Sequence, residues 1–251
     1  MDGYGPAGGA ARAEDGTPLA APPPRRWSFP GLIATVVVAF VAAVAATGIV
    51  MFTLEPRGPI ADRTPEQILL LTVATDGALL LVVATVGRRL LRLRPTDLGL
   101  VAPPSGTIGF GLSFGIALYA LSIAVNVAQS QLVGSHPQDL VVAFSSHLGG
   151  RAYVIDLLTG SVIAPFSEEI FFRGLIFGGL AQRMPVVAAA AVSALLFALL
   201  HGLGVIAPIF VLGLGLAYVY RRTRTIWASM VTHSLVNATS LTLLFLLRPG
   251  P

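Results

Sequence analysis

The chain has 251 residues, of which 55% are hydrophobic and only 11% charged, whereas soluble domains carry about 25% charged residues. It has no cysteine, which excludes disulfides and thiolate metal sites, and its 16 basic residues are all arginine. The formal net charge of +4 does not point to nucleic acid, because the arginines stand at the ends of apolar runs, where membrane topology accounts for them.

The fold class this implies is all-α: a polytopic helix bundle in a lipid bilayer. Residues 1–30 are rich in Gly, Ala and Pro and too poor in large apolar residues to build a core, so they read as a disordered cytoplasmic tail. The first apolar run, 32–54, exceeds the roughly 7–15 residues of a signal-peptide core and reaches the ~20 residues that span a bilayer. Further runs at 68–86, 108–127, 153–181, 186–200, 205–220 and 226–247 predict about seven transmembrane helices, with 138–148 a candidate eighth. The fourth run is too long for one straight span and carries Pro165, which predicts a kink, a re-entrant start or a separate short helix. No internal repeat of the kind found in many transporters is visible. Residues 31–94 read as two peripheral helices and 95–251 as the core.

Cytoplasmic loops hold an excess of arginine. With the amino terminus inside, Arg12, Arg25, Arg26, Arg88, Arg89, Arg92, Arg94, Arg183, Arg221, Arg222 and Arg224 are inside, against Arg57, Arg63, Arg151 and Arg248 outside. The asymmetry predicts a cytoplasmic amino terminus.

A charge at mid-bilayer costs at least ~2.5–3.5 kcal/mol, so each one needs a reason. Asp76, Asn126 and Asp156 stand alone in their helices and read as interhelical hydrogen-bonding groups or membrane-edge residues. His136 and His147 fall in an expected loop and read as solvated. The stretch VIAPFSEEIFFRGLIFG, 162–178, is different. Glu169 and Arg173 stand at i and i+4, glutamate first, and can neutralise each other. Glu168 is turned by about 100° from Glu169 and has no partner within its turn. A carboxyl so placed suits a general base or acid, although a purely structural polar cluster is equally open on this stretch alone.

Two further stretches bear on the choice, FALLH at Phe197–His201 and HSLVN at His233–Asn237, in each of which the end residues share a helical face. A lone histidine on an apolar helix is more often a satisfied core residue than a ligand or base. Depth argues against coincidence here. Glu168 and His201 are equidistant from the turn at 183–186, so an antiparallel hairpin places both roughly 20–25 Å from it. His233 and Asn237 lie roughly 15–20 Å beyond the 221–225 loop by the same rise. Four polar groups would then meet inside the membrane.

In these three stretches the sequence resembles the CAAX-protease and bacteriocin-processing family of intramembrane proteases, which includes the type II CAAX prenyl endopeptidase. Its marks are E-E-x-x-x-R, F-x-x-x-H and H-x-x-x-N, present here in order as EEIFFR, FALLH and HSLVN. RPTDLGL at 94–100 is similar to the family's usual lead-in, so the resemblance covers roughly 95–247. It implies hydrolysis of a peptide bond in a membrane-associated protein or peptide. Glu168 and His201 would bind and activate a water, and His233 and Asn237 would stabilise the oxyanion. Glu169, Arg173 and Phe197 would support them. H-E-x-x-H, G-x-S-G and paired Y-D and G-x-G-D motifs are absent, which argues against other classes of intramembrane protease.

Zinc held by Glu168, His201 and His233 is the alternative chemistry. The histidines come from separate helices, and no other carboxylate is obviously placed to orient both rings. The expectation is therefore a cofactor-free enzyme. Competing expectations are a non-catalytic scaffold or immunity-type protein of the same family, and a proton-coupled small-solute transporter. The Lys-free, Ala- and Arg-rich composition points to a bacterial inner membrane, with the bilayer and a membrane-associated substrate as partners.

Overall fold

The computed structural model describes residues 27–54, 59–134, 139–147 and 149–247. Most of the expected tail, and His136, lie outside these residues. Every one of the seven apolar runs is helical. In chain order the helices are α1 (Phe29–Thr53), α2 (Pro65–Leu91), α3 (Thr107–Val133), α4 (Asp139–Ser146), α5 (150–180), α6 (Val186–Leu200), α7 (Ile206–Thr223) and α8 (Ile226–Leu247). The protein is an all-α polytopic membrane bundle. Among the described residues five helices are long and apolar enough to span a membrane: α1, α2, α3, Leu203–Thr223, which contains α7, and α8. The other two expected spans are α6, whose 15 residues reach about 22 Å, and the interrupted α5. The candidate eighth segment forms only the 8-residue α4, about 12 Å long and too short to cross.

Helix α5 departs from the regular geometry that sequence periodicity assumes. Ordinary α-helix at Gly150–Leu158 opens into a wide π turn at Thr159–Ile163, returns at Ala164–Glu168, and opens again over Glu169–Phe177. Pro165 follows the first wide turn, where its missing N–H falls at an interruption already made in the ladder. The chain stays helical throughout instead of becoming re-entrant or splitting in two. Wide turns offset carbonyls from their usual partners, and here neighbouring helices supply replacements. Asn237 Nδ2 donates to Gly160 O at 2.7 Å, and Ser193 Oγ donates to Phe172 O at 2.9 Å.

Small residues bring the other helices close, as packing in lipid requires. A methyl on Gly111 of α3 would lie 2.7 Å from the Ala228 carbonyl oxygen of α8, and one on Gly213 of α7 would lie 2.8 Å from the Ala194 Cβ of α6. Thr232 Oγ1 lies 2.9 Å from both Gly111 O and Ala228 O, which pins α8 to α3. Further along α3 the side chains enlarge to Tyr119, Ser122 and Asn126, and a cavity opens.

The ends that carry most of the described arginines share one side. Trp27 is buried, its N–H donating to Gln182 at 2.9 Å and its carbonyl accepting from Arg183. Residues 27–30, which fall within the 1–30 stretch read as tail, are therefore packed against the bundle. The segment after α2 tucks beneath the bundle: Gly99, at φ +78°, accepts from Ile226 N at 2.9 Å and lies against Tyr220.

At the opposite side the reading of His147 as solvated is overturned. The residue is 9% exposed, with Nδ1 2.8 Å from Asp156 Oδ2 and Nε2 2.7 Å from Arg63 O. A partner 84 residues away is invisible to local pattern. Asp156 is the tethering group expected of it.

Candidate active site

The second wide turn of α5 begins with Glu169, so the two glutamates leave the helix in different directions. Glu169 is fully buried: its Oε1 lies 3.0 Å from Arg173 Nη1 and 3.0 Å from His233 Nδ1. The expected i, i+4 pair therefore forms, although on a π helix. Arg173 is held further by the Phe197 ring, 4.5 Å from its guanidinium carbon, and by Gly213 O at 3.4 Å. Phe197 also meets His201 at 4.4 Å and His233 at 5.7 Å between ring centroids. Its position in FALLH is that of an aromatic hub among the charged and imidazole groups.

Glu168 points the other way, into a cavity of about 320 Å³. His201, His233 and Asn237 line the same cavity, so the four residues singled out on α5, α6 and α8 come together. Glu168 Oε2 lies 3.7 Å from His233 Nε2, too far for a direct hydrogen bond.

Partner chemistry assigns the imidazole protons. The Phe197 carbonyl, 2.8 Å from His201 Nδ1, can only accept, so His201 carries a proton on Nδ1 and presents Nε2 to its surroundings. His233 Nδ1 likewise donates to the Glu169 carboxylate, leaving Nε2 towards Glu168. Asn237 spends one N–H on Gly160 O and keeps a second. Among the described residues no group of three His, Asp or Glu side chains is gathered to hold a metal ion.

Helix α3 supplies a wall that sequence reading passed over. Tyr119, Ser122 and Asn126 line the cavity, and the Ser122 hydroxyl is buried without a hydrogen-bond partner. With Gln129 they form a polar stripe at three- and four-residue spacing along an apolar helix. That spacing was the available signal, and it shows that Asn126 does not stand alone. Thr72 of α2 also lines the cavity. One turn on, Asp76 is buried with Oδ2 unpartnered, within electrostatic range of Glu168.

A family model described as type II CAAX prenyl endopeptidase Rce1-like matches residues 150–239. That segment contains Glu168, Glu169, Arg173, Phe197, His201, His233 and Asn237, while Asp76, Asn126 and Gln129 precede it. The matched segment thus carries the candidate site of this membrane bundle, and the chain belongs to the Rce1-like family. "UPF0177 protein YxdF" of Lactococcus lactis subsp. lactis (strain IL1403) is 30% identical over 129 residues, 49% of this chain and 70% of that protein. "Putative membrane peptidase YdiL" of Bacillus subtilis (strain 168) is 30% identical over 88 residues, 35% of this chain. The match spans 36% of the length of YdiL. No solved structure matches the chain.

Proposed function

We propose that the protein is an intramembrane endopeptidase that hydrolyses a peptide bond in a membrane-associated protein or peptide, using a water activated by Glu168 and His201 without a metal ion. The observation that carries this reading is the facing of Glu168 and the free Nε2 of His233 across one cavity, with His201 and Asn237 on the same lining. Family membership supports a peptidase. The cavity volume of about 320 Å³ falls in the ~300–1,000 Å³ range of small-molecule and cofactor sites and would admit a short stretch of peptide.

Glu168 takes a proton from the water as the water oxygen attacks the scissile carbonyl carbon, and the carbonyl π electrons move onto its oxygen. His201 Nε2 accepts the other water hydrogen and holds the nucleophile in line. His233 Nε2–H, when the ring carries its second proton, and the remaining N–H of Asn237 donate to the oxyanion. The intermediate collapses, the C=O bond re-forms and the C–N bond breaks. The proton held by Glu168 passes to the leaving amine. A positioned base contributes about 10²–10⁴ in rate and each oxyanion donor about 10²–10³. Glu169 and Arg173 hold His233 and the wide turn in place.

The arginine bias supports an amino terminus, an 88–94 loop and a 221–224 loop on the cytoplasmic side of a bacterial inner membrane. The absence of cysteine allows single-cysteine labelling to test this, and labelling of those positions from outside would reverse the orientation. The activity is tested by comparing membrane proteomes of cells bearing the unaltered chain or Glu168→Gln. New amino termini that vanish with the variant, together with accumulation of their precursors, are expected. Identical termini in both would refute the endopeptidase reading.

A further inference from the structure

The chain that carries His201 is poorly held by its own surroundings. His201 ends α6, and the next residue, Gly202, takes φ +97°, with nothing within 4 Å of where a Cβ would stand. Leu200 and Leu203 on either side are 60% and 73% exposed. Apolar burial therefore does not fix this turn. The helix that follows begins badly as well, since Val205 at the N-cap of α7 provides no side-chain hydrogen bond to the four free N–H groups of a helix start.

Gln129 of α3 meets both needs. Its Oε1 accepts from Ala207 N at 2.9 Å and its Nε2 donates to Gly204 O at 2.5 Å. Only one orientation of the amide serves an N–H and a carbonyl at once, so the pair fixes which atom is which. Among the described residues, the side-chain hydrogen bonds that reach the backbone of 202–207 come from Gln129. Asn126, which lines the cavity, precedes Gln129 by three residues on α3. The His201 ring is set relative to α6 by the Phe197 carbonyl, while the main chain just beyond it is tied to α3.

We propose that Gln129 is a positioning residue: its side-chain amide caps α7 and clamps the 202–207 turn to α3, thereby holding His201 Nε2 at the cavity. The catalytic half of this proposal rests on the endopeptidase reading, and its structural half does not. Gln129→Leu removes both hydrogen bonds, whereas Gln129→Glu keeps the acceptor for Ala207 N–H and loses the donor to Gly204 O.

The structural half is read by a spin label on Leu203→Cys in the otherwise cysteine-free chain, in lipid vesicles. Label mobility rises with Gln129→Leu and rises less with Gln129→Glu. The catalytic half is read with a fluorophore- and quencher-labelled peptide carrying a cleavage site whose new terminus depends on Glu168. Gln129→Leu lowers kcat about tenfold or more with KM little changed, and adds no further loss in a His201→Ala background. Unchanged mobility refutes the clamp whatever the activity does. Raised mobility with losses that add between Gln129 and His201 refutes positioning and leaves a helix cap. If Glu168→Gln cleaves as well as the unaltered chain, the endopeptidase reading falls, and the spin label alone decides whether Gln129 clamps the turn.

Discussion

Among the described residues two buried histidines hold a carboxylate through Nδ1, His233 with Glu169 and His147 with Asp156, and the contacts are almost the same, at 3.0 and 2.8 Å. The difference lies on the other side of the ring. His147 Nε2 is consumed by the Arg63 carbonyl at 2.7 Å, so the imidazole bolts the chain after α4 to α5 and to the α2 approach. Among the described residues His233 Nε2 has no hydrogen-bond partner; Glu168 stands 3.7 Å away, beside a cavity. A carboxylate partner orients a ring in either case. The second nitrogen decides whether the ring has anything left to offer a substrate.

The comparison is most sharply broken at Glu168, which gives the His233 pair its open side. Glu168→Gln should lower cleavage by about 10²–10⁴ and leave thermal stability nearly unchanged, measured on purified protein with a Glu168-dependent substrate. Equal losses of activity and stability would make Glu168 a structural residue. Glu169→Ala comes next, and its effect is on folding: removing the buried partner of Arg173 should cost about 3–5 kcal/mol, read as a lower unfolding midpoint in denaturant.

The two histidines themselves should separate function from stability. His233→Ala should cost about 10²–10³ in kcat, as an oxyanion donor does. His147→Ala should leave kcat per folded molecule intact and destabilise by about 1–3 kcal/mol, because Asp156 loses its partner while buried. An activity loss at His147 matching that at His233 would erase the distinction. The smallest expected effect is that of exhaustive chelation, which should leave activity unchanged, with elemental analysis finding no stoichiometric zinc. Zinc near one per chain, with activity lost on its removal and regained on adding it back, would make His201 and His233 ligands.

The seven apolar runs and the convergence of Glu168, His201, His233 and Asn237 were legible because both follow from the rise and period of a helix. Glu168 and His201 are equally spaced from the 183–186 turn, and both line the cavity. What was not legible came from departures from that period and from long-range contacts. The wide turns of α5 have no hydrophobic signature. His147 finds Arg63 84 residues away, which no window reaches. Gln129 is an intermediate case: its stripe with Tyr119, Ser122 and Asn126 can be counted in the sequence, but its bonds to Gly204 and Ala207, the latter 78 residues on, cannot.

The wide turn at Thr159–Ile163 also has a bearing on how this chain tolerates insertion and deletion. A π turn is an α-helix carrying one surplus residue, and each residue of an α-helix turns it by about 100°. Deleting a single residue there, such as Val162, would let the ladder close as an ordinary turn and keep Glu168 in phase with the helix before it. Closing the turn with no residue lost would instead rotate Glu168 by about 100° off the cavity, although EEIFFR would survive letter for letter. Which of two adjacent glutamates meets the cavity is therefore encoded upstream of the motif, in the one residue more that the wide turn takes up.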